Sequence, residues 1–244
     1  MYKRQVIRRI NAPAKKGVHR VAWDLHYPST DAIRSTKLTV KPEDEPKGLM
    51  AAPGQYTASI IKMADGKSTE LSAPQTFTVK RLREGSLKGS TPEATAAFWR
   101  ELEAINLDVS GISVLLKENQ DKLKRMTIAL SRSQSEPGEL DKQLHDLSTR
   151  LQLMSKKLNG DPLRNEVGEK SKQTIGSRIS VAAMGTRNST YGPTAMHKQS
   201  LNIAKNQLKE LKAELLGFMK DQIPGLEQKL TNLKAPYVKG VGVK

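Results

Sequence analysis

The chain has no cysteine, only three phenylalanines and two tryptophans, and no long apolar run. Without cysteine there is no disulfide scaffold, no thiol catalysis and no thiolate-held zinc or iron–sulfur centre. Aromatics make up 4% of the residues, too few for a stacking platform that reads single-stranded nucleic acid. No stretch approaches the ~18 apolar residues that span a bilayer. What is present in excess is positive charge. Lys and Arg number 41 against 25 Asp and Glu, a formal net charge of +16 over 244 residues. High charge alone would suggest disorder, but Leu, Ile, Val and Met recur with clear periodicity, so the chain is expected to fold.

Two unlike halves follow one another. The region 6–88 reads as β. Val6–Ile10 is a short strand candidate, and 17–25 alternates, with His19, Val21, Trp23 and Leu25 on the heavier face. Pro53-Gly54 opens a strand over 55–63, Asp65-Gly66 marks a tight hairpin, and 69–71 and 75–79 return. Thr36–Val40 is a further strand candidate and 41–48 a charged loop. Short strands between Pro/Gly turns predict a small antiparallel sandwich.

The region 89–236 reads as α. Ser90-Thr91-Pro92-Glu93 is a helix start, and an apolar stripe from Ala94 through Leu130, interrupted at Asn119, predicts a helix ending near Ser133, about 60 Å long at 1.5 Å per residue. Leu140, Leu144, Leu147, Leu151, Met154 and Leu158 mark a second helix, stopped by Asn159-Gly160-Asp161-Pro162. A weaker one spans 167–184, where Gly168 and Gly176 oppose helix. Pro193-Thr194 opens a long helix, and Pro224 kinks or breaks it before Leu226, Leu230 and Leu233. The predicted fold class is therefore segregated α+β: an immunoglobulin-like antiparallel β-sandwich followed by an antiparallel helical bundle, with 237–244 as a tail.

The elements Gly17-Val18-His19-Arg20-Val21-Ala22-Trp23-Asp24-Leu25-His26-Tyr27-Pro28 and Ala52-Pro53-Gly54-Gln55-Tyr56 carry a resemblance. The first half resembles the immunoglobulin-like domain of bacterial flagellar hook-capping proteins. With the helical region behind it, the chain resembles the C-terminal region of bacterial exported sortilin-like, BNR-repeat β-propeller proteins, commonly labelled glycosyl hydrolases. Tyr191-Gly192-Pro193-Thr194, Ile223-Pro224-Gly225-Leu226 and Ala235-Pro236-Tyr237 look like the same tail. His26 stands where the pattern usually has Arg. The resemblance implies a fragment whose β-propeller lies upstream, and a periplasmic, outer-membrane-associated or secreted location. Met1–Gln5 fits that reading: it matches a translated sequencing-library adapter from a metagenomic contig, so residues 1–5 are expected to be an artefact.

No residue set for catalysis, cofactor or metal emerges. The acids fall in Glu43-Asp44-Glu45 and on helix exteriors such as Glu210 and Glu214, not as the facing pair that glycoside hydrolysis needs. His19, His26, His145 and His197 show no H-x-x-x-H or H-E-x-x-H spacing. There is no phosphate-binding glycine loop and no G-x-S-x-G elbow. Trp23, Asp24, Pro53, Gly54 and Tyr56 read as fold-maintaining, with Asp24 placed to accept turn hydrogen bonds.

The charge is spread, at 17 Lys/Arg and 8 Asp/Glu over 1–89 and 24 and 17 over the rest. Runs such as Lys209-Glu210-Leu211-Lys212-Ala213-Glu214 read as solvated faces with local pairs. Three functional readings result. The chain is a non-enzymatic accessory region that supports its missing propeller or docks a protein partner; or a basic module that holds polyanions at the cell surface; or the remnant of a glycoside hydrolase whose catalytic part lies upstream. Sequence-specific nucleic-acid binding and a membrane span are not expected.

Overall fold

A computed structural model describes residues 6–30, 47–83, 87–169 and 172–236. The expectations for Met1–Gln5, the strand at 36–40, most of the 41–48 loop, the acids at 43–45 and the tail at 237–244 lie outside the described residues. Strands and helices are segregated along the chain. Contacts gather it into two compact units, one of residues 1–103 with 186–193 and one of 104–185 with 194–244.

Among the described residues of the first unit, six short strands form three two-stranded antiparallel sheets. Strand β1 (His26–Pro28) pairs with β2 (Lys47–Met50), β3 (Gly54–Ala58) with β6 (Gln75–Val79), and β4 (Ile61–Ala64) with β5 (Lys67–Glu70). The last two pairs are successive stretches of one long hairpin. Its tip is Asp65-Gly66, both at positive φ (51° and 73°), the conformation of a type I′ turn, which glycine adopts without strain. Its middle is interrupted, two residues on one side facing four on the other, and the gap is bridged by the Leu71 N–H donating to the Ile60 carbonyl at 2.8 Å.

The β3–β6 register sets Tyr56 opposite Phe77 and Gly54 opposite Val79 on one face, and Gln55, Thr57, Thr76 and Thr78 on the other. Trp23 covers the apolar face, its ring centroid 5.2 Å from Tyr56 and 6.2 Å from Phe77, both edge-on. The Tyr56 hydroxyl donates back to the Ala52 carbonyl, so the Pro-Gly turn and the tyrosine act as one corner. Burial raises the Tyr56 pKa above its ordinary value, and nearby Tyr27 adds to the shift.

Two strand expectations fail. Residues 6–10 and 17–25 are irregular. Alternation gives a strand only where a neighbour completes the ladder, and no strand pairs with either stretch among the described residues; around residue 24 the side chains bond locally. Asp24 Oδ1 accepts from the His26 N–H at 3.1 Å, Trp23 Nε1–H donates to the His26 carbonyl at 2.9 Å, and Leu25 turns to φ 59°. Of the expected core face only Trp23 is half-buried; Val21 and Leu25 are exposed. The loop expected to end at Gly48 is also shorter, because Lys47 and Gly48 begin β2. Gly48 lies so close to the Pro28 and Tyr27 carbonyls that a side chain would strike them.

The same unit contains the start of helix α1 (Pro92–Ser131). Thr91 Oγ1 accepts from the Ala94 N–H at 3.2 Å, the hydroxyl cap read from the sequence. Phe98 and Leu102 are buried, and Glu103 accepts from the Leu49 N–H at 3.2 Å. The 186–193 segment is held by Ser90 N–H to the Tyr191 carbonyl (2.8 Å) and Trp99 Nε1–H to Thr186 Oγ1 (3.1 Å).

The second unit is helical and holds most of the buried apolar residues. It contains the rest of α1, α2 (Leu140–Asn159), the short α3 (Pro162–Glu166), α4 (Ile175–Arg187, to Gly185 in this unit), α5 (Ala195–Asp221) and α6 (Ile223–Asn232). The α2 stripe is realised: Leu151, Met154 and Leu158 are fully buried. Gly168, at φ 69°, follows the end of α3, so the weak helix predicted from 167 starts instead at Ile175. Thr174 caps it, its Oγ1 accepting from the Ser177 N–H at 3.0 Å. The break between α5 and α6 falls at Gln222, with Pro224 in the first turn of α6, where its missing N–H costs least. Asn119, the interruption in the α1 stripe, is buried and donates Nδ2–H to the Leu115 carbonyl of its own helix at 2.7 Å.

Candidate functional site

The four histidines are dispersed, each with a local role or none. His19 meets the Lys15 carbonyl (2.8 Å), His26 the Asp24 carbonyl (2.7 Å), and His145 is exposed on α2. His197 is buried in a capping box: its N–H donates to Thr194 Oγ1 at 3.4 Å, and its Nδ1 accepts from the Thr194 N–H at 3.3 Å. The ring fills space left by Gly185 of α4. Among the described residues no group of three acids, histidines or cysteines could hold a metal ion, and no helix is long and apolar enough to cross a membrane.

A groove of about 430 Å³ lies between the ends of α2 and α4 and the middle of α5. Two of its three cations are engaged: Lys156 pairs with Asp161 at 2.7 Å and Lys157 with Glu214 at 3.0 Å, while Lys172 also lines it. The Lys156 contact holds the Asp161 carboxyl below its ordinary pKa, against desolvation. Lys157 does the same for Glu214, with Arg150 adding to it at 3.4 Å. This is an ion-pair seam, with no nucleophile and no general base set against one.

The arrangement that sequence reading missed is on α5. The run 209–214 suggested lysines paired with glutamates of their own helix. Instead the pairs run between helices: Glu214 holds Arg150 and Lys157 of α2, and Lys212 holds Asp108 of α1 at 2.8 Å. At 3.6 residues per turn, Lys198, Lys205, Lys209, Lys212 and Lys220 fall within about 80° of one another around the axis. Glu210, Glu214 and Asp221 lie together on another side, about 80° or more away. Lys198, Lys209, Lys212 and Lys220 are exposed, and Lys198, Lys209 and Lys220 make no ion pair among the described residues. The signal was available as a helical projection; adjacency in the sequence concealed it.

No protein-family model, curated protein or solved structure matches the chain.

Proposed function

We propose that this chain is the non-catalytic C-terminal accessory region of a larger exported bacterial protein, whose β part packs on, and supports, an upstream β-propeller. One observation carries this reading. Among the described residues between 6 and 87, thirteen large apolar side chains are exposed, Ile60, Ile61, Met63 and Leu71 of the hairpin among them, while only Leu49 and Ala51 are buried apolar residues. Isolated two-stranded ribbons are marginal in water, and apolar side chains left exposed along one support a contact with another body. In the longer protein the β3–β6 ribbon, apolar on its Trp23 side and polar on the other, serves as part of an immunoglobulin-like sandwich. A periplasmic, outer-membrane-associated or secreted location follows from the same reading.

The test has two stages. Long-read sequencing of the source upstream of Val6 is expected to continue the frame into propeller repeats and a signal peptide. Amide exchange of 54–79 is then compared between this chain and the longer protein, with slower exchange expected in the latter. A promoter and in-frame stop just before Met1, or identical exchange in both, overturns the proposal.

A further inference from the structure

We infer that the lysine side of α5 is a binding surface for an acidic polysaccharide, independent of the docking role of the β part. The five lysines extend from Lys198 to Lys220, about 33 Å at 1.5 Å per residue. The helix sorts its charge: the acids are turned away, and Glu214 is occupied by two α2 cations. Three of the lysines make no ion pair among the described residues, Lys212 shares an exposed aspartate, and these four are exposed.

The ligand class follows from what the stripe holds. Its charges are ammonium groups on flexible stems, with no guanidinium fork for base edges. No aromatic lies among them to stack a base; the remaining positions in the same arc are Asn202 and the exposed Leu216. One lysine per roughly 8 Å of helix is sparse beside a duplex carrying one charge per about 1.7 Å. A chain of carboxylated sugars, with separated charges and no π-faces, fits a straight, widely spaced row of point cations.

The probe is a fluorescent oligogalacturonate, titrated by anisotropy at several salt concentrations. Lys198→Gln/Lys209→Gln/Lys220→Gln is compared with Lys62→Gln/Lys67→Gln/Lys88→Gln, which removes the same net charge from the other unit. All six positions are exposed, and helical content and urea midpoint confirm that both variants fold. The α5 variant is expected to bind at least about tenfold more weakly than the control variant, with the slope of log K against log salt shallower by about 2, three contacts at ~0.7 each. Equal losses in the two variants, no measurable binding by the native chain, or tighter binding of a duplex DNA of matched charge each overturn the inference. None of these outcomes bears on the docking of the β part, which is read by exchange at 54–79.

Discussion

Replacing Gly185 by alanine tests how tightly α4 is fitted to the cap of α5. A β-carbon built at Gly185 meets the His197 ring at Nε2, with Cε1 at 2.7 Å, and the ring is buried. In an open helix Gly→Ala gains up to about 1 kcal/mol. Here the methyl group must displace the ring, which breaks the Nδ1 contact to the Thr194 N–H and disturbs a cap of a kind worth about 1 kcal/mol. Overpacking of this kind costs about 1–3 kcal/mol. Offset by the helix gain, Gly185→Ala should destabilise the chain by about 1–2 kcal/mol. The decisive arm is the same change in a His197→Ala background. With the ring gone the clash is gone, only the propensity gain is left, and Gly185→Ala should stabilise by about 0.5–1 kcal/mol. Urea unfolding followed by far-UV circular dichroism at constant pH reads all four proteins of the cycle, and the coupling energy is expected near 2 kcal/mol. Gly185→Ala having the same sign and size in both backgrounds would refute the reasoning.

Two further outcomes follow. Leu151→Ala, at a fully buried position in the α2 stripe, should cost about 3–5 kcal/mol, read as a lower urea midpoint with an unchanged m-value; a loss below about 1 kcal/mol would mean that α2 is not packed as described. Glu214→Gln should flatten the acid limb of the stability curve. The Glu214 pKa is lowered in the fold by Lys157 and Arg150, so its contribution is present above the unfolded carboxylate pKa and lost as pH falls through the lower folded value. Native and variant urea midpoints should therefore converge towards low pH and differ most near neutrality; a constant difference at all pH values would count against the ion pairs.

Helices α1, α2, α5 and α6 were legible because each signal was local; α3 was not read, and α4 starts eight residues later than expected. Thr91-Pro92, Thr194 and Pro224 mark ends that the backbone obeys, and the four–three spacing of α2 names its buried face except at Leu147, which is half-buried. The hairpin was legible for the same reason, through Pro53-Gly54 and Asp65-Gly66. The strand assigned to 17–25 failed because a strand is a statement about a neighbour, and alternation supplies none; Asp24 and Trp23 closed their own local bonds instead. Long-range contacts such as Ser90 to Tyr191 and Glu214 to Arg150 have no sequence signature at all. The charge on α5 lay between these cases. It was written in the helical period, but adjacent Lys-Glu pairs suggested neutralisation along the helix, and the fold neutralises across helices.

The 54–79 hairpin has a consequence for the colloidal behaviour of the protein. Both outer edges of its strands are unpaired among the described residues, and side chains such as Ile61 and Met63 beside them are apolar and exposed, the combination by which one copy can template pairing with another. Short strands and the +16 net charge oppose such encounters, the latter through mutual repulsion that salt screens beyond about 10 Å at 0.1 M. Charge repulsion is therefore expected to keep the chain dispersed more than its surface does. Added salt should lower its solubility, and low ionic strength, which strains many proteins, should be where this one stays monomeric.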